Sequence, residues 1–285
     1  MSRTLLGNRG SVLALRQARA VLSELNAEWP DVRITQRTLA NHRPDDLLEA
    51  LQNDKITIAL QSLETLPLQL PEGLVLAAVT KRLEARYTLI AKGDKALRDI
   101  PGGALIGVSQ PRDEAFLRVQ RQDLETTVLD SNIDDMLERI ATGELGGVVL
   151  PVAHLIQLER RHRADQVLEV DQFPPAVGQG SLGLVVRKDD FLASELAYTL
   201  HHRPSYDRTL AERSFAQALA EQKDHAVGTY TTIATDGTLT LFGAIAEQSG
   251  AFSIQAEVSG EASEAKELGK ELAADVLEQL KAQSS

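Results

Sequence analysis

The sequence predicts an α/β fold: two sheet-and-helix blocks followed by a small antiparallel module. Three observations carry that expectation. Apolar residues at helix spacing alternate with apolar residues at strand spacing from the N-terminus to about residue 200. A proline- and glycine-rich loop, Phe173 to Gly180, interrupts the second block, and a strand pattern then resumes. After Glu221 the texture changes to three closely spaced strand signals and one amphipathic helix. The chain has 285 residues, and about 150 residues per domain gives two or three domains.

The first elements follow from local signals. Asn8-Arg9-Gly10-Ser11 reads as a turn, with Ser11 as N-cap of a helix to about Glu28 whose buried face is Leu15, Ala18, Leu22 and Leu25. Val32 to Leu39 reads as a strand. Pro44-Asp45 opens a short helix carrying Leu47, Leu48 and Leu51. Lys55 to Leu60 alternates as a strand and leads into Gln61-Ser62-Leu63-Glu64-Thr65. In the second block, from about Arg82, Leu105 to Val108 reads as a strand ending at Ser109-Gln110-Pro111-Arg112. Ile133, Met136, Leu137 and Ile140 mark a helix that Gly143 ends. A buried strand, Gly146 to Leu150, and a helix from about Val152 to Arg161 follow.

Beyond the loop, Leu182 to Val186 returns as a strand, and helices follow at Phe191–Leu200 and Arg208–Glu221. The adjacent His201 and His202 fall at a helix end, where a role at the helix dipole is expected. Val227 to Ala234, Thr238 to Ala246 and Phe252 to Val258 form a meander turning at Asp236-Gly237, and a last helix carries Leu268, Leu272, Val276 and Leu280. The expected division is lobe 1 at 1–82 and 178–204, lobe 2 at 83–177, and a C-terminal β3α domain at 205–285. No internal repeat is visible. Loops around Ser62, Ser109 and Gly178 are expected to face a cleft between the lobes, as in open α/β sheets.

Composition excludes several function classes. Lys plus Arg is 30 against 41 for Asp plus Glu, a net charge of −11, which argues against nucleic-acid or anionic-membrane partners. The longest apolar stretch, Leu145 to Leu158, is too short to span a bilayer. With no secretory pattern at the N-terminus, the expectation is a soluble, cytoplasmic protein. The chain has no Cys, so disulfides, thiolate metal sites and Cys nucleophiles are out of reach. Apart from the adjacent His201-His202 pair, the six His residues show no metal-ligand spacing, and no metal site is expected.

A set of landmarks in fixed order resembles the hydroxymethylbilane synthase, or porphobilinogen deaminase, family. They are Asn8-Arg9-Gly10-Ser11-Val12-Leu13-Ala14-Leu15-Arg16-Gln17-Ala18, the Ser62-Leu63…Pro67 turn, and Leu70-Pro71-Glu72-Gly73-Leu74-Val75-Leu76. Gly107-Val108-Ser109, Phe173-Pro174-Pro175-Ala176-Val177-Gly178-Gln179-Gly180-Ser181-Leu182-Gly183 and Ala211-Glu212-Arg213-Ser214-Phe215 complete the set. The resemblance covers nearly the whole chain. It implies two periplasmic-binding-protein-like (type II) lobes and a C-terminal domain. It also implies an enzyme of tetrapyrrole biosynthesis that joins porphobilinogen units, primed by a dipyrromethane held through a Cys thioether.

At the positions that the resemblance makes functional, this sequence departs. The family's His-Ser-Leu-Lys-Asp-Met-Pro falls on Gln61-Ser62-Leu63-Glu64-Thr65-Leu66-Pro67, which puts Thr65 at the catalytic Asp and Glu64 at a cofactor-binding Lys. Glu64, if on a strand, would point away from the position of that Asp. Lys223, in Gln222 to Gly228, stands at the anchoring Cys and reads as a solvated surface lysine. The Ser-Ser-Leu-Arg-Arg run becomes Ser109-Gln110-Pro111-Arg112-Asp113, followed by Glu114. The Arg-Gly-Asn stretch becomes Asp130-Ser131-Asn132, a further Arg becomes Met136, and a Lys- and Gly-rich segment shrinks to Asn41-His42-Arg43. A charge pair about 4 Å apart at an effective dielectric near 20 is worth roughly 4 kcal/mol, so each reversal to an acid counts against a carboxylate ligand.

The expectation is therefore a family member without dipyrromethane and without polymerising activity, binding a small anion or a protein partner in the cleft. The alternative is a working hydroxymethylbilane synthase with relocated chemistry. Arg9, Ser11, Ser62, Ser109, Arg112 and Asn132 match ligand-contacting positions and are the candidate ligand-binding set. Ser11 and Asn132 are equally open to a reading as helix caps, and Gly178-Gln179-Gly180 to a reading as either a hinge or a tight turn.

Overall fold

The computed structural model describes residues 4–39, 44–129 and 132–283. Asn41-His42-Arg43 and Asp130-Ser131 lie outside the described residues. The chain runs β1 (Thr4–Asn8), α1 (Val12–Glu28), β2 (Ile34–Thr38), α2 (Pro44–Gln52), β3 (Ile58–Ser62) and β4 (Leu74–Val79). It continues with β5 (Tyr87–Ala91), β6 (Leu105–Val108), α3 (Pro111–Gln120), β7 (Glu125–Val128), α4 (Ile133–Thr142), β8 (Gly147–Pro151), α5 (Val152–Gln157) and β9 (Gln166–Val167). Then come β10 (Leu182–Arg187), α6 (Phe191–Tyr198), α7 (Arg203–Ala218), β11 (His225–Ile233), β12 (Thr238–Glu247), β13 (Ser253–Glu261) and α8 (Ala265–Gln283). Two compact units result: Met1–Leu83 with Gly180–Asp207, and Glu84–Gln179 with Arg208–Ser285.

The first unit is one five-stranded sheet in the order β2-β1-β3-β10-β4. β1 lies parallel to β2 and β3, whereas β10 runs antiparallel to β3 and β4. Ser11 caps α1 by accepting from the Ala14 amide at 3.1 Å, and the helix buries Ala18, Val21 and Leu25 against Leu6, Ile58 and Leu184. The second unit repeats this plan as β7-β6-β8-β5-β9, with β6 parallel to β7 and β8, and β5 antiparallel to β8. The same topology is built from unlike residues, so no repeat shows in the sequence.

The meander β11-β12-β13 forms as expected, and each face of it meets a different core. Leu239, Leu241 and Ile245 pack with Phe215 of α7 and with Leu268, Leu272 and Val276 of α8. Ala226, Ala244 and Ala246 pack with Phe116 of α3, Tyr87 and Phe173. That second, alanine-lined face explains why the C-terminal module and the β5–β9 sheet form one compact unit. No described helix is long and apolar enough to cross a membrane.

The contact between α7 and α8 is close enough to require glycine. A Cβ on Gly269 would overlap the Ala211 carbonyl oxygen and lie 2.7 Å from Ser214 Cβ and 2.8 Å from the Phe215 nitrogen. In an open helix interior, Gly269→Ala would gain about 1 kcal/mol of propensity. Overpacking against backbone costs about 1–3 kcal/mol, occasionally more, and works against that gain. Gly269→Ala is expected to destabilise the protein by about 1 kcal/mol net in urea denaturation; an unchanged or higher midpoint would contradict this packing.

Candidate functional site

The candidate residues sit where parallel strands end. In the first unit, β1, β2 and β3 terminate at Asn8, Thr38 and Ser62 along one sheet edge. Asn8 is buried, and its Oδ1 accepts from the Gly10 amide at 3.1 Å, forming the turn that presents Arg9. Arg9 is half-buried, and its side chain makes no hydrogen bond or ion pair with a described residue. Ser62 Oγ accepts from Gln17 Nε2 at 3.2 Å, which ties the end of β3 to α1.

Residues Leu63–Thr65 form one turn of 3₁₀ helix rather than a continuation of β3. Thr65 Oγ1 donates to the Ser62 carbonyl at 3.0 Å, and Gln61 Nε2 donates to the Thr65 carbonyl at 2.8 Å and to its hydroxyl at 3.2 Å. Thr65 thus closes its own turn. The same geometry overturns the strand argument about Glu64, because neighbouring residues in a 3₁₀ turn do not alternate between opposite faces. Glu64 is half-buried and lies on the turn that follows β3 at this strand edge.

In the second unit, β6 and β7 end at Val108 and Val128, paired in register, so Ser109 and Asn132 follow from one edge. Ser109 Oγ is buried without a hydrogen-bond partner among the described residues. Asn132 caps α4, accepting from the Asp134 and Asp135 amides at 2.9 and 3.0 Å and donating to Asp135 Oδ2 at 2.8 Å. Ser11 and Asn132 therefore both act as helix caps.

Asp113 and Glu114 do not stand as naked acids. Asp113 is fully buried and accepts from Tyr87 Oη at 2.6 Å, Arg112 Nη1 at 2.8 Å and the Gln110 amide at 3.0 Å. Glu114 pairs with Arg118 at 3.4 Å, one helical turn on. Both negative charges are thus compensated within α3 and its neighbours, which removes much of the repulsion toward a carboxylate that the sequence suggested. Arg112 spends its donors on protein: Nε on the Val227 carbonyl at 2.9 Å, Nη2 on the Pro174 carbonyl at 2.8 Å, and Nη1 on Tyr87 Oη at 3.1 Å and on Asp113.

The Phe173–Gly180 loop is a set of turns stitched by two buried side chains. Gln179 accepts from the Ala176 amide and donates to the Ala85 carbonyl, while Glu212 of α7 accepts from the Gly178 amide at 2.8 Å. Gly178 and Gly180 take φ of +75° and +87°, which favours glycine. Lys223 is exposed between α7 and β11. His201 lies beyond α6 rather than in its last turn, and its Nδ1 faces the Val79 amide at 3.4 Å. Burial, and then the nearby Arg203, hold its pKa below the ordinary histidine value, the opposite of a cationic dipole partner. Among the described residues, no group of three or more His, Cys, Asp or Glu is placed to hold a metal ion.

Comparison with known proteins places these features. Residues 5–195 match the family model described as porphobilinogen deaminase, dipyromethane cofactor binding domain. A porphobilinogen deaminase of Thermus thermophilus is 41% identical over 96% of this chain and 95% of its own length. One from Deinococcus radiodurans is 39% identical over 96% of this chain and 94% of its own. Among solved structures, a periplasmic substrate-binding protein of an ABC transporter from Coxiella burnetii aligns with a TM-score of 0.50 at 16% identity, covering 73% of this chain and 94% of that one. The fold is therefore two type II periplasmic-binding-protein-like lobes with a small C-terminal domain.

The family model corrects one expectation. A chain expected to have no use for dipyrromethane matches, over residues 5–195, the domain that binds it. The residues present do not fit a thioether, since the chain has no Cys and Lys223 is exposed.

Two stability measurements check this geometry. Asp113→Ala leaves the Arg112 guanidinium, only 14% exposed, without its counter-ion; a loss of about 3–5 kcal/mol is expected, and a loss below about 1 kcal/mol would contradict the buried pair. For His201, the depressed folded-state pKa means that the unfolded chain binds the proton more tightly. Its contribution is whole above the ordinary histidine range and is lost as pH falls through the lower folded value. His201→Gln should flatten the decline in urea midpoint between about pH 7 and about pH 5; an unchanged slope contradicts the assignment.

Proposed function

The chain belongs to the porphobilinogen deaminase family, and from that premise we propose that it condenses porphobilinogen in tetrapyrrole biosynthesis. The observation that carries this reading is identity of 41% sustained over 96% of the chain with a protein named porphobilinogen deaminase. The compensation of Asp113 and Glu114 also supports it, because the edge after β6 is no longer set against a carboxylate ligand.

In this reading the carboxylate that steadies the cationic pyrrole left by departing ammonia is Glu64. It follows β3 at the strand edge, and its place in a 3₁₀ turn frees it from the orientation a strand would impose. Thr65 shapes that turn and carries no charge. Arg9, uncommitted to described residues, supplies a cation for an acetate or propionate arm. No step is assigned to dipyrromethane, whose thioether the residues do not fit.

A second reading, pyrrole binding without chain elongation, is favoured by one pair of facts: the absence of Cys, and Thr65 at the family's Asp position. One assay separates the two. Purified protein is incubated with porphobilinogen, and its consumption and uroporphyrin after oxidation are followed for wild type, Glu64→Gln and Thr65→Val. The leading reading expects turnover by wild type, a loss of about a hundredfold or more in Glu64→Gln, and retention within a few-fold in Thr65→Val. No consumption by the folded wild type would overturn it and leave the second reading standing.

A further inference from the structure

Arg112 is surrounded on every side by groups from different parts of the chain. Its Nε holds the Val227 carbonyl of β11, its Nη2 holds the Pro174 carbonyl, and its Nη1 is shared between Tyr87 Oη of β5 and Asp113 Oδ1 of its own helix. The guanidinium carbon lies 4.6 Å from the centre of the Phe116 ring. Tyr87 also packs edge-on against Phe173 at 4.7 Å, so the hydroxyl that bridges Arg112 and Asp113 is itself fixed by packing.

The strand on the other side is shaped to receive this group. A Cβ on Gly228 would overlap Pro174 Cβ and lie 3.0 Å from Arg112 Nη2 and 3.1 Å from Phe116 Cζ. Glycine therefore lets β11 lie against both the loop and the guanidinium. The next residue continues the seam, with the Thr229 amide donating to the Pro175 carbonyl at 2.8 Å. Three non-contiguous segments, α3, the Pro174–Pro175 loop and the start of β11, are joined at one cation that only a planar, five-donor side chain can satisfy.

We propose that Arg112 is a positioning residue rather than a ligand contact: it fastens the start of β11, and the Gln222–Asp224 segment leading into it, onto α3 and the Pro174 loop. That segment carries Lys223, which stands at the family's anchoring Cys position and does not fit a thioether. The fastening itself rests only on the bonds just described.

The test is hydrogen exchange of the intact protein, with no pyrrole present, read on the peptide covering Gln222 to Thr229. Arg112→Ala should raise exchange there by about tenfold or more relative to peptides of the first unit. Arg112→Lys keeps a charge beside Asp113 but cannot reach the Val227 and Pro174 carbonyls together, so it should fall between wild type and Arg112→Ala and serves if the alanine variant does not fold. Ile140→Ala, buried in another core of the same unit, controls for general loosening. Equal acceleration of the 222–229 peptide in Ile140→Ala and the Arg112 variants, or none in the latter, overturns the proposal. Because the readout is independent of porphobilinogen, its failure is distinct from failure of the deaminase reading.

Discussion

A carboxylate buried to 0% exposure must be neutralised where it stands, and much of the second unit is arranged around doing so for Asp113. Its oxygens take donors from Tyr87, Arg112 and the Gln110 backbone, which caps α3 and anchors β5 to that helix. Arg112, drawn to the same point, extends the network to β11 and the proline loop. The aromatic cluster of Tyr87, Phe116 and Phe173 closes over it and excludes water, which strengthens each of these bonds. The C-terminal module joins this unit because the alanine face of its sheet meets that same cluster.

This arrangement changes how substitutions at ligand-contacting positions are weighed. From the sequence, an arginine replaced by an acid looks like a reversal of about 4 kcal/mol against an anionic ligand. In the fold, the acid is matched by its neighbour and turned into a structural pair, so it adds little net charge at the edge after β6. A change of residue type has a sign only once its partner is known. Thr65 makes the same point without charge, since its hydroxyl closes the turn and the negative group of that turn is Glu64.

Much of the fold was legible from local pattern. The α1 cap at Ser11, the α4 cap at Asn132, the Asp236-Gly237 turn and the final amphipathic helix were all marked by residue type at fixed spacing. Helix α3 was not. Pro111 at its first position and Asp113 bonding back to the Gln110 amide are a helix-start signal, but they were absorbed into the end of the preceding strand. β4 and β5 also went unread, because fully or largely apolar runs of five or six residues carry no period. Helix α7 begins at Arg203, five residues before the expected Arg208, since Pro204 falls in its first turn where proline is tolerated. At the site, the caps were foreseen as one of two readings, whereas the Arg112 network reaches, besides the adjacent Asp113, partners 25, 62 and 115 positions away and leaves no trace of them in sequence spacing.

The central claim is that a pyrrole is bound at the edge following β1 and β3, with Glu64 and Arg9 in contact with it. A crystal structure of this protein grown with porphobilinogen addresses that claim most directly. The account predicts pyrrole density within hydrogen-bonding reach of the Glu64 carboxylate, with one acid arm on Arg9. Density seated elsewhere with Glu64 turned away, or a fully saturated crystal showing none, would contradict it.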